Sequence, residues 1–209
     1  MSKVLKKSLI VILAMFVVVF AWANDGAYAD TTDSATYGSG DYGNCDYGSC
    51  TITLTSGGTT TVNVVPTPTG KCTVQSDTAS VLTDNTTGYS LSMTTSTTNN
   101  AMTGSSGSIN ASSGTAASPV TLAMNTWGYR VDGLSGFGAG PTTSQNSGSI
   151  PSTTFAGVPP SNLAGTQVAS SASAANPAVD TTVWYGVCAN SAVPSGTYSV
   201  TVTYTAVTN

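Results

Sequence analysis

The last stretch of the chain, residues 197–207, alternates hydroxyl-bearing and apolar side chains with a period of two. Successive side chains of a strand point to opposite faces, so Tyr198, Val200, Val202, Tyr204 and Ala206 share one face and a Thr/Ser ladder occupies the other. A helix would scatter both sets around its axis. The run therefore calls for a β-strand with one side against a core and the other against water. Pro194-Ser195-Gly196 separates it from a second apolar run, Val183-Trp184-Tyr185-Gly186-Val187, and this spacing predicts that the two close the chain as an antiparallel hairpin.

From Thr51 onward turn signals cut the chain into short strand-like pieces. Residues 51–55 and 59–65 flank Ser56-Gly57-Gly58 and are expected to pair as a hairpin, ended by Pro66 and Pro68. Residues 72–82 follow as a third strand, and Thr86-Thr87-Gly88 is a turn. Tyr89, Leu91 and Met93 then lie on one face of a fourth. Residues 94–118 are almost wholly small and polar and read as a long surface excursion. Residues 119–124 and 127–131 are the next strands. After them 132–163 is rich in Gly, Pro and Ser, with Phe137, Ile150 and Phe155 as its anchors. No useful length has a helical period. Eight or nine short strands predict an all-β fold, an antiparallel β-sandwich of jelly-roll or immunoglobulin-like type, over residues 51–209. Strand order is not visible in a pattern of lengths.

At the other end, Lys3, Lys6 and Lys7 precede the uncharged run 9–23, and Ala27-Tyr28-Ala29 follows. A basic start, an apolar run of fifteen residues and an A-x-A site match a secretory signal peptide over 1–29, with cleavage after Ala29. The run is shorter than the roughly twenty residues that a spanning helix prefers, although Trp22 near its end would suit an uncleaved anchor. No carboxy-terminal anchor or sorting tail is expected, and no membrane span after cleavage. The exported part has eight Asp and two basic residues, Lys71 and Arg130, a balance of −6. Without a basic patch it is not expected to bind nucleic acid. Its solubility has to come from Thr, Ser, Asn and Gly, since His and Glu are absent.

Between signal and domain lies a Tyr/Gly-rich tail, residues 30–50, in which Tyr37-Gly38, Tyr42-Gly43 and Tyr47-Gly48 recur every five residues. Neither strand nor helix periodicity fits it. Its composition reads first as a solvated linker lying on the domain, with the tyrosines as separate anchors; an adhesive or strand-donating segment is the functional reading. All four cysteines are in the exported part, which points to two disulfides, and of the three connectivities Cys45 to Cys50 and Cys72 to Cys188 is preferred. The first pair sits in a tight Gly-containing loop and the second ties an early strand to the penultimate one. Zinc is disfavoured by the exported setting and the absence of His.

The inventory constrains chemistry strongly. General acid and base work usually draws on His or paired carboxylates, and here only aspartates remain. Asp132 and Asp180, at the ends of two aromatic strands, are the one pair from which a glycosidase might be built, and both also suit turns, so no enzyme is expected. A cross-link of the isopeptide kind would have to use Lys71, the sole exported lysine. No cofactor is expected; Asp30, Asp33, Asp41 and Asp46 are close enough in sequence to suggest a structural calcium, without the spacing of an EF-hand. Trp127, Tyr129, Trp184 and Tyr185 lie on two strands and are the candidate binding residues, because a flat aromatic surface stacks on sugars. Trp127 with Tyr129 equally suits core packing, whereas neighbours Trp184 and Tyr185 must face opposite ways, leaving one outside the first layer.

Thr87-Gly88-Tyr89-Ser90-Leu91-Ser92-Met93, Asn125-Thr126-Trp127-Gly128-Tyr129, Val183-Trp184-Tyr185-Gly186-Val187 and the closing run from Pro194 to Ala206 resemble recurring blocks of exported Thr/Ser-rich surface proteins of Saccharibacteria and related host-attached bacteria. The closing strands are more distantly similar to those of spore-coat-U-like pilins and WxL wall-binding domains. The resemblance implies an exported, non-catalytic surface β-protein, structural or adhesive, whose partner is a cell-surface protein, a glycan or another copy of itself. A carbohydrate-binding module using the strand aromatics is the alternative.

Overall fold

The computed structural model describes residues 50–209. The signal segment, the tail through Ser49, Cys45 and the four aspartates suggested for calcium lie outside the described residues. Within them the chain is all-β, with one 3₁₀ turn (Ser135–Phe137) and no helix long and apolar enough to cross a membrane. The strands are β1 (Ile52–Ser56), β2 (Lys71–Thr83), β3 (Tyr89–Thr95), β4 (Met102–Gly104), β5 (Gly107–Ala111), β6 (Val120–Thr121), β7 (Thr126–Arg130), β8 (Gln145–Gly148), β9 (Thr154–Phe155), β10 (Thr166–Ser171), β11 (Ala175–Ala189), β12 (Tyr198–Ser199) and β13 (Val202–Thr208).

The larger sheet runs β1-β2-β11-β7-β5-β4-β12, with β8 beside β1 on the same flank of β2; the smaller is β10-β3-β13, and β6 with β9 forms a two-stranded ribbon. Pairing is antiparallel except between β5 and β7, which run parallel. The long strands β2 and β11 form the spine. Their register sets Cys72 directly opposite Cys188, and the two are joined by a disulfide as expected. Cys50 is also disulfide-bonded, and its expected partner Cys45 lies outside the described residues.

One core lies between the two sheets. Ala79, Val81, Trp127, Tyr129, Val183 and Val187 from the larger sheet meet Tyr89, Leu91, Met93, Val168 and Ala206 from the smaller. A second, smaller core covers the opposite side of the larger sheet, where Leu122 and Phe155, next to and on the ribbon, press on Val74 and the Cys72–Cys188 bridge. Glycine makes this approach possible. Gly128 and Gly186 stand opposite one another on β7 and β11, and a Cβ at Gly186 would come within 2.7 Å of Leu122 and 2.8 Å of the Phe155 ring. The Trp-Gly-Tyr and Trp-Tyr-Gly sequences thus cut a shallow trough across two strands for the ribbon to fill.

Several expectations are corrected. The closing hairpin does not form: β11 pairs with β2 and β7, while the end of the chain pairs with β3 as β13 and, briefly, with β4 as β12. The alternation itself holds, with Thr201, Thr203 and Thr205 exposed, Val200, Val202 and Tyr204 half-buried against the core and Ala206 buried. The strand changes sheets at Val200 and Thr201. Residues 59–65 likewise form no strand with β1, whose five residues pair instead with Ala79 to Thr83 of β2. The supposed excursion 94–118 contains β4 and β5 and buries Ile109. Of the anchors in 132–163, Phe137 and Phe155 are buried and Ile150 is exposed.

Candidate functional site

On the core side of the larger sheet, the smaller sheet stops short and leaves a groove of about 680 Å³. Its floor is built by β11 and β7, which present Tyr185, Val187 and Trp127. One wall is the irregular segment carrying Val62 and Val64, and the other is the stretch from Val193 to Tyr204. The rim carries the exposed hydroxyls of Thr59, Thr61, Thr197 and Thr201. The segment after β1 runs here because Gly57 donates to the Thr78 carbonyl at 3.1 Å and to Asp77 Oδ1 at 3.0 Å, and because Thr73 Oγ1 donates to the Asn63 carbonyl at 2.5 Å.

Deep in the groove the phenols of Tyr185 and Tyr204 share a 2.7 Å hydrogen bond across the two sheets. Buried Asp77 also lines the groove, where its carboxylate accepts from the Gly57 and Thr78 amides. Burial pushes the Tyr185 pKa far above that of a free phenol, and the neighbouring Tyr204, Asp77 and Tyr129 push it further. Tyr204 is raised too, first by burial; the bond from Tyr185 pulls the other way and Asp77 adds to the rise. Both phenols therefore stay neutral as donors and acceptors at any physiological pH. The site offers aromatic and aliphatic contact with a small, fixed polar end, a combination that fits an extended chain or a compact ligand with one polar group.

The structure divides the four aromatics singled out in the sequence. Tyr129 is fully buried, with its hydroxyl 2.9 Å from Thr166 Oγ1 and its ring edge-on to Phe137. Trp127 is buried as well, and its indole N–H donates to the Asn100 carbonyl at 2.9 Å. Tyr185 reaches the groove, with its ring 6.5 Å from that of Trp127. Trp184 faces the other way, half-buried beside the second core and opposite Arg130 in the register. The four do not make one flat platform. Asp77, Tyr198 and Tyr204 were not singled out by sequence reading; for the tyrosines the signal was present, since both lie on the apolar side of the closing alternation.

Arg130 and Asp132 form a separate buried cluster. Arg130 Nε donates to Asp132 Oδ1 at 2.7 Å and to Thr142 Oγ1 at 2.7 Å, Nη1 to the Phe137 carbonyl at 2.5 Å and Nη2 to the Gly138 carbonyl at 3.2 Å. Asp132 also accepts from the Thr142 amide at 2.7 Å and hydroxyl at 2.6 Å. Desolvation raises the Asp132 pKa, but the bonds from Thr142 and Arg130 and the guanidinium charge outweigh it and hold it below the ordinary carboxylate value. These groups pin the loop over residues 132–142 onto the sheet. Asp180 lies elsewhere, on β11 opposite Ser80.

The chain matches no protein-family model, no curated protein and no solved structure.

Proposed function

We propose that the protein is an exported, non-catalytic surface module, structural or adhesive, built as an antiparallel β-sandwich and related to the Thr/Ser-rich surface proteins that its sequence blocks resemble. The observation that carries this reading is the apolar groove between the two sheets, bordered by segments whose outward side chains are hydroxyls. Such a groove accepts a segment of a partner along its length, and the uncharged rim leaves partner choice to shape and hydrogen bonding. The buried Cys72–Cys188 bridge fits an oxidising compartment and supports export through the 1–29 signal. Three hydrogen bonds occupy the Asp132 carboxylate and two backbone amides donate to that of Asp77, which fits scaffold roles for both.

The second reading, a carbohydrate-binding module, is favoured by Trp184, which keeps part of its indole at the surface of the larger sheet. Fractionation of the producing cell, combined with a glycan array of the mature chain, separates the two. Retention at the cell surface with no saturable glycan binding is the expected result. Saturable binding abolished by Trp184→Ala would replace it with the second reading, and recovery of the protein in the cytoplasm would remove both.

A further inference from the structure

We propose that the groove holds a subsite for a lysine side chain, carried by an extended segment of a different protein and paired with Asp77; the inference rests on reading the groove as the place where such a segment binds. Charge comes first. Among the residues that line the groove Asp77 alone is charged, and only 9% of its surface is exposed. The amides that donate to it, Gly57 at 3.0 Å and Thr78 at 2.8 Å, reach the same oxygen, Oδ1, and bring no positive charge. Its own charge is felt inside the groove, where it opposes ionisation of Tyr185 and Tyr204. Among the described residues the one ion pair is that of Arg130 with Asp132. Lys71, the other described cation, stands six positions earlier on β2, about 20 Å along the strand. A carboxylate withdrawn from water without a cation is costly, and a cation brought in by a ligand offsets that cost.

The other lining groups select lysine. Its aliphatic stem packs on apolar surface while its ammonium seeks acceptors, and the groove lines its walls with Val62, Val64, Val200 and Val202. The ammonium has three donors to place. Asp77 can take one, and the phenol oxygens of Tyr185 and Tyr204, which share a single 2.7 Å hydrogen bond, keep lone pairs for the others. The rings of Trp127 and Tyr185, 6.5 Å apart on the floor, add aromatic faces that attract a cation. A second copy of this chain is a poor source. Residues 30–209 contain Lys71 and Arg130 as their sole basic side chains; Arg130 is held by Asp132, and Lys71 is fixed on β2 opposite Ala189 of β11. The balance of −6 over the same residues further favours a cationic partner.

The test titrates the full mature chain, labelled with carbon-13 in its tyrosine rings, with n-butylammonium, which is the lysine side chain itself, and with n-butanol, the same stem without the charge. At neutral pH and constant ionic strength butylammonium is expected to shift the Tyr185 and Tyr204 ring signals saturably and to bind roughly tenfold more tightly than butanol. Asp77→Asn keeps an acceptor oxygen for the two amides and should bring the two ligands to near equality, whereas Asp180→Asn, an exposed carboxylate away from the groove, should leave the preference intact. Equal binding of the two ligands by the wild type, which needs no variant to fold, would overturn the proposal. So would the absence of any saturable shift, or a preference that survives Asp77→Asn. The two readings fail separately. Loss of the ammonium preference in a protein held at the cell surface removes the lysine subsite alone, whereas Asp77-dependent ammonium binding by a protein recovered from the cytoplasm removes only the surface-module reading.

Discussion

Arg130 is nearly inaccessible to water, and its guanidinium is satisfied by one carboxylate, one hydroxyl and backbone carbonyls of the loop it holds. Nothing in the sequence marks it as buried, because a lone arginine at the end of an aromatic strand looks like a solvated rim residue until the covering loop is in place. Arg130→Ala should cost toward the lower end of the roughly 3–5 kcal/mol typical of breaking a buried pair, since Asp132 retains some exposure; chemical denaturation reads this directly. The same cluster sets an acid limit. The folded pKa of Asp132 lies below its unfolded value, so its contribution is present above about pH 4 and is lost as the pH falls through the folded pKa. At the alkaline end the sign reverses. Tyr185 and Tyr204 have raised pKa values, so stability holds up to about pH 10 and then declines as the unfolded chain alone ionises. Ultraviolet titration of phenolate should find these two silent until the protein unfolds, and early ionisation of both would mean that the groove is wet.

At the scale of elements, period-two alternation was a faithful guide to which side of a strand is buried and a poor guide to which strand lies next to it. Tyr89, Leu91 and Met93 are buried as their spacing requires, and so is Ala206 opposite Leu91. Pairing failed where proximity in sequence stood in for register: Ser56-Gly57-Gly58 looks like a hairpin turn, yet Gly57 bonds to Thr78 and Asp77 of a distant strand instead. Alternation also fades where both faces of a strand are covered. On β11, Val183, Tyr185 and Val187 face the main core while Trp184 and Cys188 face the second, and only Gly186 betrays the close layer. Gly186→Ala should therefore destabilise by about 1–3 kcal/mol through overpacking against Leu122 and Phe155, although the same change on an open strand would help. Thermal unfolding of Ala206→Asp beside Thr205→Asp checks the closing strand. The first should cost several kcal/mol by burying a charge and the second under about 1 kcal/mol, and equal losses would show that a further layer covers the Thr ladder.

For the whole molecule, the all-β class and the long-range disulfide were legible, because strand periodicity and cysteine count are local properties of a sequence. The groove was not legible, because it arises where β13 and the segment after β1 diverge, and no single stretch records that divergence. The proposed export has a simple check, an intact mass of native material beginning at Asp30; a mass that includes residue 1 or 2 would refute cleavage. Replacing both Cys72 and Cys188 by alanine should lower stability by up to about 4–5 kcal/mol, since the bridge closes a loop with a sequence separation of 116. That loop has a mechanical meaning as well. Under the proposed surface role the chain is pulled through its ends, and a covalent tie between the two spine strands lets tension pass across the bridge without extending the chain between Cys72 and Cys188. At about 3.4 Å per residue, nearly 400 Å of contour is shielded, and about twenty residues at either end of the described region can pay out, some 70 Å each. In single-molecule pulling, oxidised protein should lengthen only by residues outside the Cys72–Cys188 loop, and reduction should release the remainder. The cross-link acts as a stop on extension, keeping the groove's floor assembled under loads that strip away its outer strands.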